Sequence, residues 1–122
     1  MYKFSKKSRK ELNSCDYRLI EIFEEVIKIY DCSILQGYRS NEQQQKEFEE
    51  GDSQLQAGES THNTKPSRGV DVAPYPIDWG NTDRFAELAG IVKGIAHMKG
   101  YKITWGGDWK SLRDMPHFQV ED

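Results

Sequence analysis

Residues 60–76, STHNTKPSRGVDVAPYP, carry a polar, turn-rich loop into a short apolar run that holds an aspartate. The run reads as a strand over about residues 68–73, closed by Pro74 and Pro76. Asp71 lies in it between Val70 and Val72. Aspartate is disfavoured inside a strand and is rarely buried without a partner, so Asp71 requires a cation or hydrogen-bond donors beside it. The loop leading to it starts just after His62, one of only three histidines in the chain. Residues 51–67 form a polar stretch rich in Gly, Ser, Thr and Asn, and loops of that length in a compact domain are often functional.

Working outward, residues 12–30 place Leu12, Leu19, Phe23, Val26, Ile27 and Tyr30 at helical spacing, with Asn13 or Ser14 as the expected cap. A strand is expected over about residues 32–36, ending at Gly37. Ser40 and Gln43 match a capping box for a helix that Gly51 stops. A second long helix opens at Asn81 or Thr82, carries Phe85, Leu88, Ala89, Val92, Ile95 and Ala96 inward, and stops at Gly100. YKITW and HFQV supply two further strands. Helix, strand, helix, loop, strand, helix, strand, strand is the order of an α+β fold: one domain over residues 1–122, with a small, mostly antiparallel sheet flanked by helices.

Composition limits the function classes. The chain has 122 residues, enough for one domain with a real core. A net charge of −3 argues against a nucleic-acid partner, which would call for clustered Lys and Arg. The basic residues Lys3, Lys6, Lys7, Arg9 and Lys10 read as a solvated N-terminal arm over residues 1–11. No apolar run is long enough to insert in a membrane, and the basic start lacks the apolar stretch of a secretory signal. Synthesis and initial residence in the cytoplasm are therefore expected, as is a monomer. Cys15 and Cys32 form no CxxC pair; two buried free thiols fit such a chain, with a disulfide left open.

The chemistry concentrates in three residues. His97 sits off the apolar stripe of the second long helix and reads as surface. His62, Asp71 and His117 together offer two imidazoles and a carboxylate, a set that suits Zn²⁺ and leaves a fourth position open for water. Zinc lowers the pKa of such a water to roughly 7. Spacing alone leaves the alternative standing: one satisfied aspartate and two ordinary histidines. Asp114 shifts the weighing. The stretch DMPH puts a second carboxylate three residues before His117, where it can take a proton from an attacking water. The competing reading of Asp114 is a turn residue paired with Arg113.

The segments GYRS (37–40), SxH at Ser60–His62, GVDVxPY (69–75), WGGDW (105–109) and DMPHFQV (114–120), in that order, resemble the peptidoglycan-cleaving zinc peptidases. These are the D-Ala-D-Ala carboxypeptidases and L-alanyl-D-glutamate endopeptidases, small phage endolysins among them. The resemblance runs from about Leu12 to Val120. It implies His62, Asp71 and His117 as zinc ligands, Asp114 as catalytic base, and Arg39 as the cation that holds substrate and stabilises the oxyanion. Ser60 would have a lesser role at the substrate, and Trp105, Asp108 and Trp109 would border the cleft. In one respect the chain departs from the pattern: eight residues, Asn63 to Val70, separate the first histidine from the aspartate where the family has six.

These expectations converge on a zinc metallopeptidase that cuts an amide in the peptide stem of bacterial peptidoglycan. A phage endolysin acting as an L-alanyl-D-glutamate endopeptidase, made in the host cytoplasm and acting on the wall after release, is the leading form. A D-Ala-D-Ala carboxypeptidase or dipeptidase is the near alternative. A non-catalytic zinc-stabilised wall-binding domain is the distant one, and Asp114 speaks against it.

Overall fold

The computed structural model describes residues 2–122. Four strands form one sheet in the order β1-β2-β4-β3: β1 (Cys32–Gln36), β2 (Gly69–Pro74), β3 (Lys102–Trp105) and β4 (His117–Glu121). All three pairings are antiparallel. The four helices are α1 (Lys6–Asn13), α2 (Tyr17–Ile29), α3 (Asn41–Glu49) and α4 (Thr82–Lys99). The α+β fold with a small antiparallel sheet is thus the one the sequence implies.

Strand alternation divides the sheet into two chemically different faces. Ile34, Val70, Val72, Phe118 and Val120 are buried in the core, where α2 contributes Leu19, Ile22, Phe23 and Val26, and α4 contributes Phe85, Leu88 and Val92. The Phe23 and Phe118 rings meet edge to face, 5.8 Å between centroids. The alternate residues Asp71, His117 and Gln119 point the other way. One apolar face therefore secures the sheet, and the opposite face is released for polar chemistry.

Two helices replace the single helix expected over residues 12–30. α1 ends at Asn13, and α2 starts afresh with the Asp16 side chain accepting from Arg18 N. Asn13, Ser14 and Asp16 all compete for backbone hydrogen bonds, which favours a break over a continuous helix. The supposed basic arm is corrected in the same way, because residues 6–13 are helical and packed. Leu12 is fully buried, and the buried Ser8 accepts a hydrogen bond from Ile34 N of β1 (3.0 Å). Lys3, Lys6, Lys7 and Lys10 do face water, so their charge hid an inward stripe of Ser8 and Leu12. Ser40 accepts from Gln43 N as expected of a cap, but the Gln43 side chain turns to Glu47 instead of closing the box. The strand expected at 68–73 runs one residue later. Cys15 and Cys32 are buried free thiols, and burial pushes each up to about 12. Among the described residues no helix is long and apolar enough to cross a membrane.

Gly37 is where α1, the α1–α2 turn and the end of β1 come closest. A Cβ there would overlap Glu11 O and Ser14 Oγ and press on Cys15 Sγ. Tyr38 N donates to Ser14 Oγ (2.8 Å), and Gly37 N donates to the Glu11 carboxylate (3.0 Å), so the approach is fixed by hydrogen bonds as well as shape. Gly37→Ala should lower the unfolding free energy by roughly 1–3 kcal/mol, as overpacking against backbone does. A urea titration in which this variant matches the parent would refute the close approach.

Candidate metal centre and active site

Asp71 lies in the second strand of the sheet, paired in register with His117 of β4 on one side and with Gln36 of β1 on the other. The β1 register shifts between Ile34 and Gln36, an irregularity that turns Gln36 toward the polar face. His62 arrives from outside the sheet on a 3₁₀ turn, Thr61–Asn63. Ser60 Oγ accepts from His62 N (3.1 Å) and Asn63 Oδ1 accepts from Ser60 N (3.1 Å), which pins the turn reciprocally. Asn63 Nδ2 donates to Arg39 O (2.8 Å), and Arg39 N donates to His62 O (2.8 Å). The His62 turn and the Arg39 backbone are therefore stitched together. Gly69 admits the His62 turn and the His117 ring together, since a Cβ there would overlap Thr61 Oγ1 and touch the His117 ring.

Hydrogen bonds on the outer side of each ring fix the tautomers. His62 Nδ1 lies 2.7 Å from Gly37 O, which only accepts, so Nδ1 carries the proton and Nε2 a free lone pair. His117 Nε2 lies 2.8 Å from Gln119 Oε1, so it donates and Nδ1 is bare. The bare nitrogens are 3.2 Å apart, and Asp71 Oδ1 is 3.2 Å from His62 Nε2 and 3.1 Å from His117 Nδ1. Three acceptors aimed at one another repel unless a cation lies among them. A tetrahedral ion with bonds of about 2.0–2.1 Å would hold its ligand atoms roughly 3.3 Å apart, which these separations match. The residues thus fit a divalent metal, and the cluster is one that could hold it.

The electrostatics agree. Burial alone would raise the Asp71 carboxyl, but hydrogen bonding and charge from His117 and His62 reverse this and hold it well below the ordinary carboxylate range. Burial also disfavours a charged His117, yet the Asp71 hydrogen bond and charge raise its pKa. The cluster demands positive charge, supplied by protons or by metal, and acid would set the two in competition. Asp114 is shifted upward, first by burial and then by the charge of Asp71.

Arg39, Ser60, His62, Asp71, Trp109, Asp114 and His117 line one cleft of about 330 Å³. The Arg39 guanidinium is nearly buried and held rigidly: Nε and Nη2 donate to Gln36 Oε1 (3.1 and 2.9 Å) and Nη1 to Gln44 Oε1 (2.8 Å). Nη2 stands 3.8 Å from Asp71 Oδ2. Asp114 forms no ion pair with Arg113, whose Nε donates to Trp109 O (3.1 Å). Gly106 lets the Asp114 backbone pass, because a Cβ there would overlap Asp114 O. The Trp109 ring is 5.4 Å from that of His117. Asp108 corrects the expectation that it borders the cleft. It is exposed and pairs with Lys93 Nζ of α4 (2.5 Å), directed outward by the short turn Gly106–Asp108. Trp105 is core, its Nε1 donating to Met115 O (2.7 Å).

The supporting residues Gln36, Gln44, Asn63 and Gln119 were not anticipated. Gln119 could have been, since it stands two positions after His117 in a strand and so shares its face. Gln36 and Gln44 lie within five residues of Arg39, but their role depends on how the chain turns after β1, and Asn63 meets Arg39 from 24 residues away.

Residues 1–120 match the family model described as phage L-alanyl-D-glutamate peptidase, and the chain belongs to that family of peptidases. Among solved structures it is similar to the Serratia marcescens L-Ala D-Glu endopeptidase ChiX. Identity is 29% and the TM-score 0.84, over 97% of this chain and 89% of that one.

If Gln119 fixes the ligating tautomer of His117, Gln119→Leu should weaken divalent-metal affinity by roughly 10–100-fold, the usual effect of losing such an outer partner. Gln119→Glu, which keeps the acceptor, should retain most of it. Competitive titration against a chromophoric chelator reads this directly; equal affinity in the leucine variant and the parent would refute the role.

Proposed function

We propose that the protein hydrolyses the L-Ala–D-Glu amide in the peptide stem of bacterial peptidoglycan, with a zinc ion held by His62 Nε2, Asp71 Oδ1 and His117 Nδ1. The observation that carries this reading is the convergence of those three bare acceptors within 3.1–3.2 Å of one another in a cleft that also holds Asp114 and Arg39. Two neutral nitrogens and one carboxylate favour zinc over harder cations, which prefer oxygen. When bound, the ion would supply Lewis-acid polarisation of the scissile carbonyl and activation of a water.

The chain's own residues do the rest. Asp114 accepts the proton of the attacking water and delivers it to the nitrogen of the leaving amine. Its raised pKa suits both transfers, since a base must also be able to act as an acid. Arg39 presents a fixed positive charge beside Asp71, where it steadies substrate and the negative charge that develops on the carbonyl oxygen. Ser60 contributes through the turn that sets His62. Trp109 closes one side of the cleft over His117.

Membership of the L-alanyl-D-glutamate peptidase family and the likeness to the Serratia enzyme support the choice of bond. The shape of the cleft agrees. A D-Ala-D-Ala carboxypeptidase needs a closed end for a free carboxylate, whereas this cleft continues past Trp109 and Asp114 into a second cavity. The family's phage association also favours an endolysin, made inside the host and delivered to the wall. Mass spectrometry of purified peptidoglycan after digestion tests the bond: new glutamate amino termini are expected, and release of free D-alanine instead would overturn the assignment.

Two variants test the roles. Asp114→Asn should fold and bind zinc yet lose roughly 10²–10⁴-fold in rate. A zinc-loaded Asp114→Asn protein with near-parental hydrolysis would reassign the residue to a turn. Arg39→Ala should retain zinc and lose on the order of 10²-fold in turnover. Unchanged turnover in that variant would leave Arg39 a purely structural partner of Gln36 and Gln44.

A further inference from the structure

Beyond the metal cleft lies a second, larger hollow of about 600 Å³, against about 330 Å³ around the cluster. Ser53, Leu55, Trp109 and Asp114 line both, so the two are limbs of one groove. The second limb is built differently from the first. Leu55 and Leu112 are 41% and 68% exposed, and both line it together with the Trp109 side chain. Asp52 and Arg113 supply polar groups at the same wall. Leu112 is also the one non-glycine residue with positive φ (54°) among the described residues. A leucine in the left-handed region is an outlier worth explaining, and this one presents its side chain to water as well. Two local costs fall on one residue, and no core contact offsets them.

We propose that this limb is a sugar subsite that seats the N-acetylmuramoyl group acylating the alanine of the stem. The inference rests on the L-Ala–D-Glu reading of the adjoining cleft. An alanine side chain is far too small to fill a limb of about 600 Å³. An N-acylated hexosamine has apolar ring faces and methyl groups to lie on Trp109, Leu55 and Leu112, and hydroxyls to meet Asp52 and Arg113. The charged partner of the scissile bond, D-glutamate, then falls toward Arg39. Specificity for wall-attached stems over free peptides follows from this subsite.

Two substrates that are both uncharged at the alanine nitrogen isolate the sugar: N-acetylmuramoyl-L-Ala–D-Glu peptide and N-acetyl-L-Ala–D-Glu peptide with the same continuation. The muramoyl substrate should show roughly tenfold higher kcat/KM, mostly through KM, the scale of one buried apolar side chain. That ratio should fall toward one in Leu112→Gly, where glycine accepts the positive φ and thermal melting checks the fold, and in Leu55→Ser. Equal kcat/KM for the two substrates, or a ratio unchanged in both variants, would overturn the subsite. So would a gain that appears only when the peptide is lengthened beyond D-glutamate. Titration with N-acetylmuramoyl-L-alanine, followed on the leucine methyl resonances, reads the subsite without catalysis. Shifts at Leu55 and Leu112 are expected, and their absence overturns the proposal whichever bond is cut. Intact L-Ala–D-Glu bonds in the parent digest would overturn the bond assignment alone.

Discussion

A single carboxylate on the second strand of a four-stranded sheet sets the terms for the rest of this molecule. Asp71 sits among valines, where an unpaired charge would cost several kcal/mol. Its neighbours answer that cost from three directions. His117 comes across the sheet in register, His62 comes from a loop, and Arg39 approaches to 3.8 Å from beyond the end of β1. None of these alone neutralises the arrangement, because both histidines present lone pairs rather than protons when their outer nitrogens donate. The geometry is complete only with a cation at its centre.

Holding such a centre in place makes the fold and the site share parts. Gly37 is the clearest case: its lack of a side chain admits the α1–α2 turn, and its carbonyl accepts the proton that fixes His62 (2.7 Å). Gly69 likewise leaves room for Thr61 of the His62 turn and for the His117 ring. The Arg39 guanidinium is anchored by Gln44, which is fully buried and donates in turn to Ser53 Oγ and Leu55 O at the wall of the groove. Burial of a polar side chain of this size is tolerable because both its N–H donors and its oxygen find partners. A rigid arginine loses little entropy when substrate binds, which suits the electrostatic role proposed for it.

The sequence disclosed this architecture unevenly, for physical reasons. Periodicity exposed β1, β2, β4 and α4 within a residue or two, because apolar alternation and caps such as Ser40, Asn81 and Gly100 are local signals. It failed at α1, where five basic residues masked a short buried stripe, and at the α1–α2 boundary, where the apolar spacing ran on through a break made by Asp16. The residues His62, Asp71, His117, Asp114 and Arg39 were legible through their motifs, and all line one cleft. Asp108 was misplaced because a motif gives position in the chain but not the direction of a side chain on a 3₁₀ turn. Gln36 and Gln44 were silent: a glutamine becomes informative only when the group it bonds to is known.

Asp71 and Asp114 face the same cleft, yet their surroundings push them in opposite directions. Protons carried by His117 and His62, in the place a metal would take, hold Asp71 down, whereas burial and the Asp71 charge push Asp114 up. A metal ligand must stay anionic through the working pH range, and a proton carrier must be able to change state within it. Environments that separate two carboxylates in this way commonly divide acid–base roles between them. The separation is built from sequence position. Asp71 is fixed in a strand, where ladder pairing brings His117 opposite it. Asp114 lies on the turn before that strand, its backbone against Gly106, and there burial and the Asp71 charge outweigh the pull of His117, His62 and Arg39 on its carboxylate. The same turn carries Leu112 and Trp109 into the second limb of the groove, so the segment from Gly106 to His117 sets the Asp114 carboxylate and the wall of the groove together.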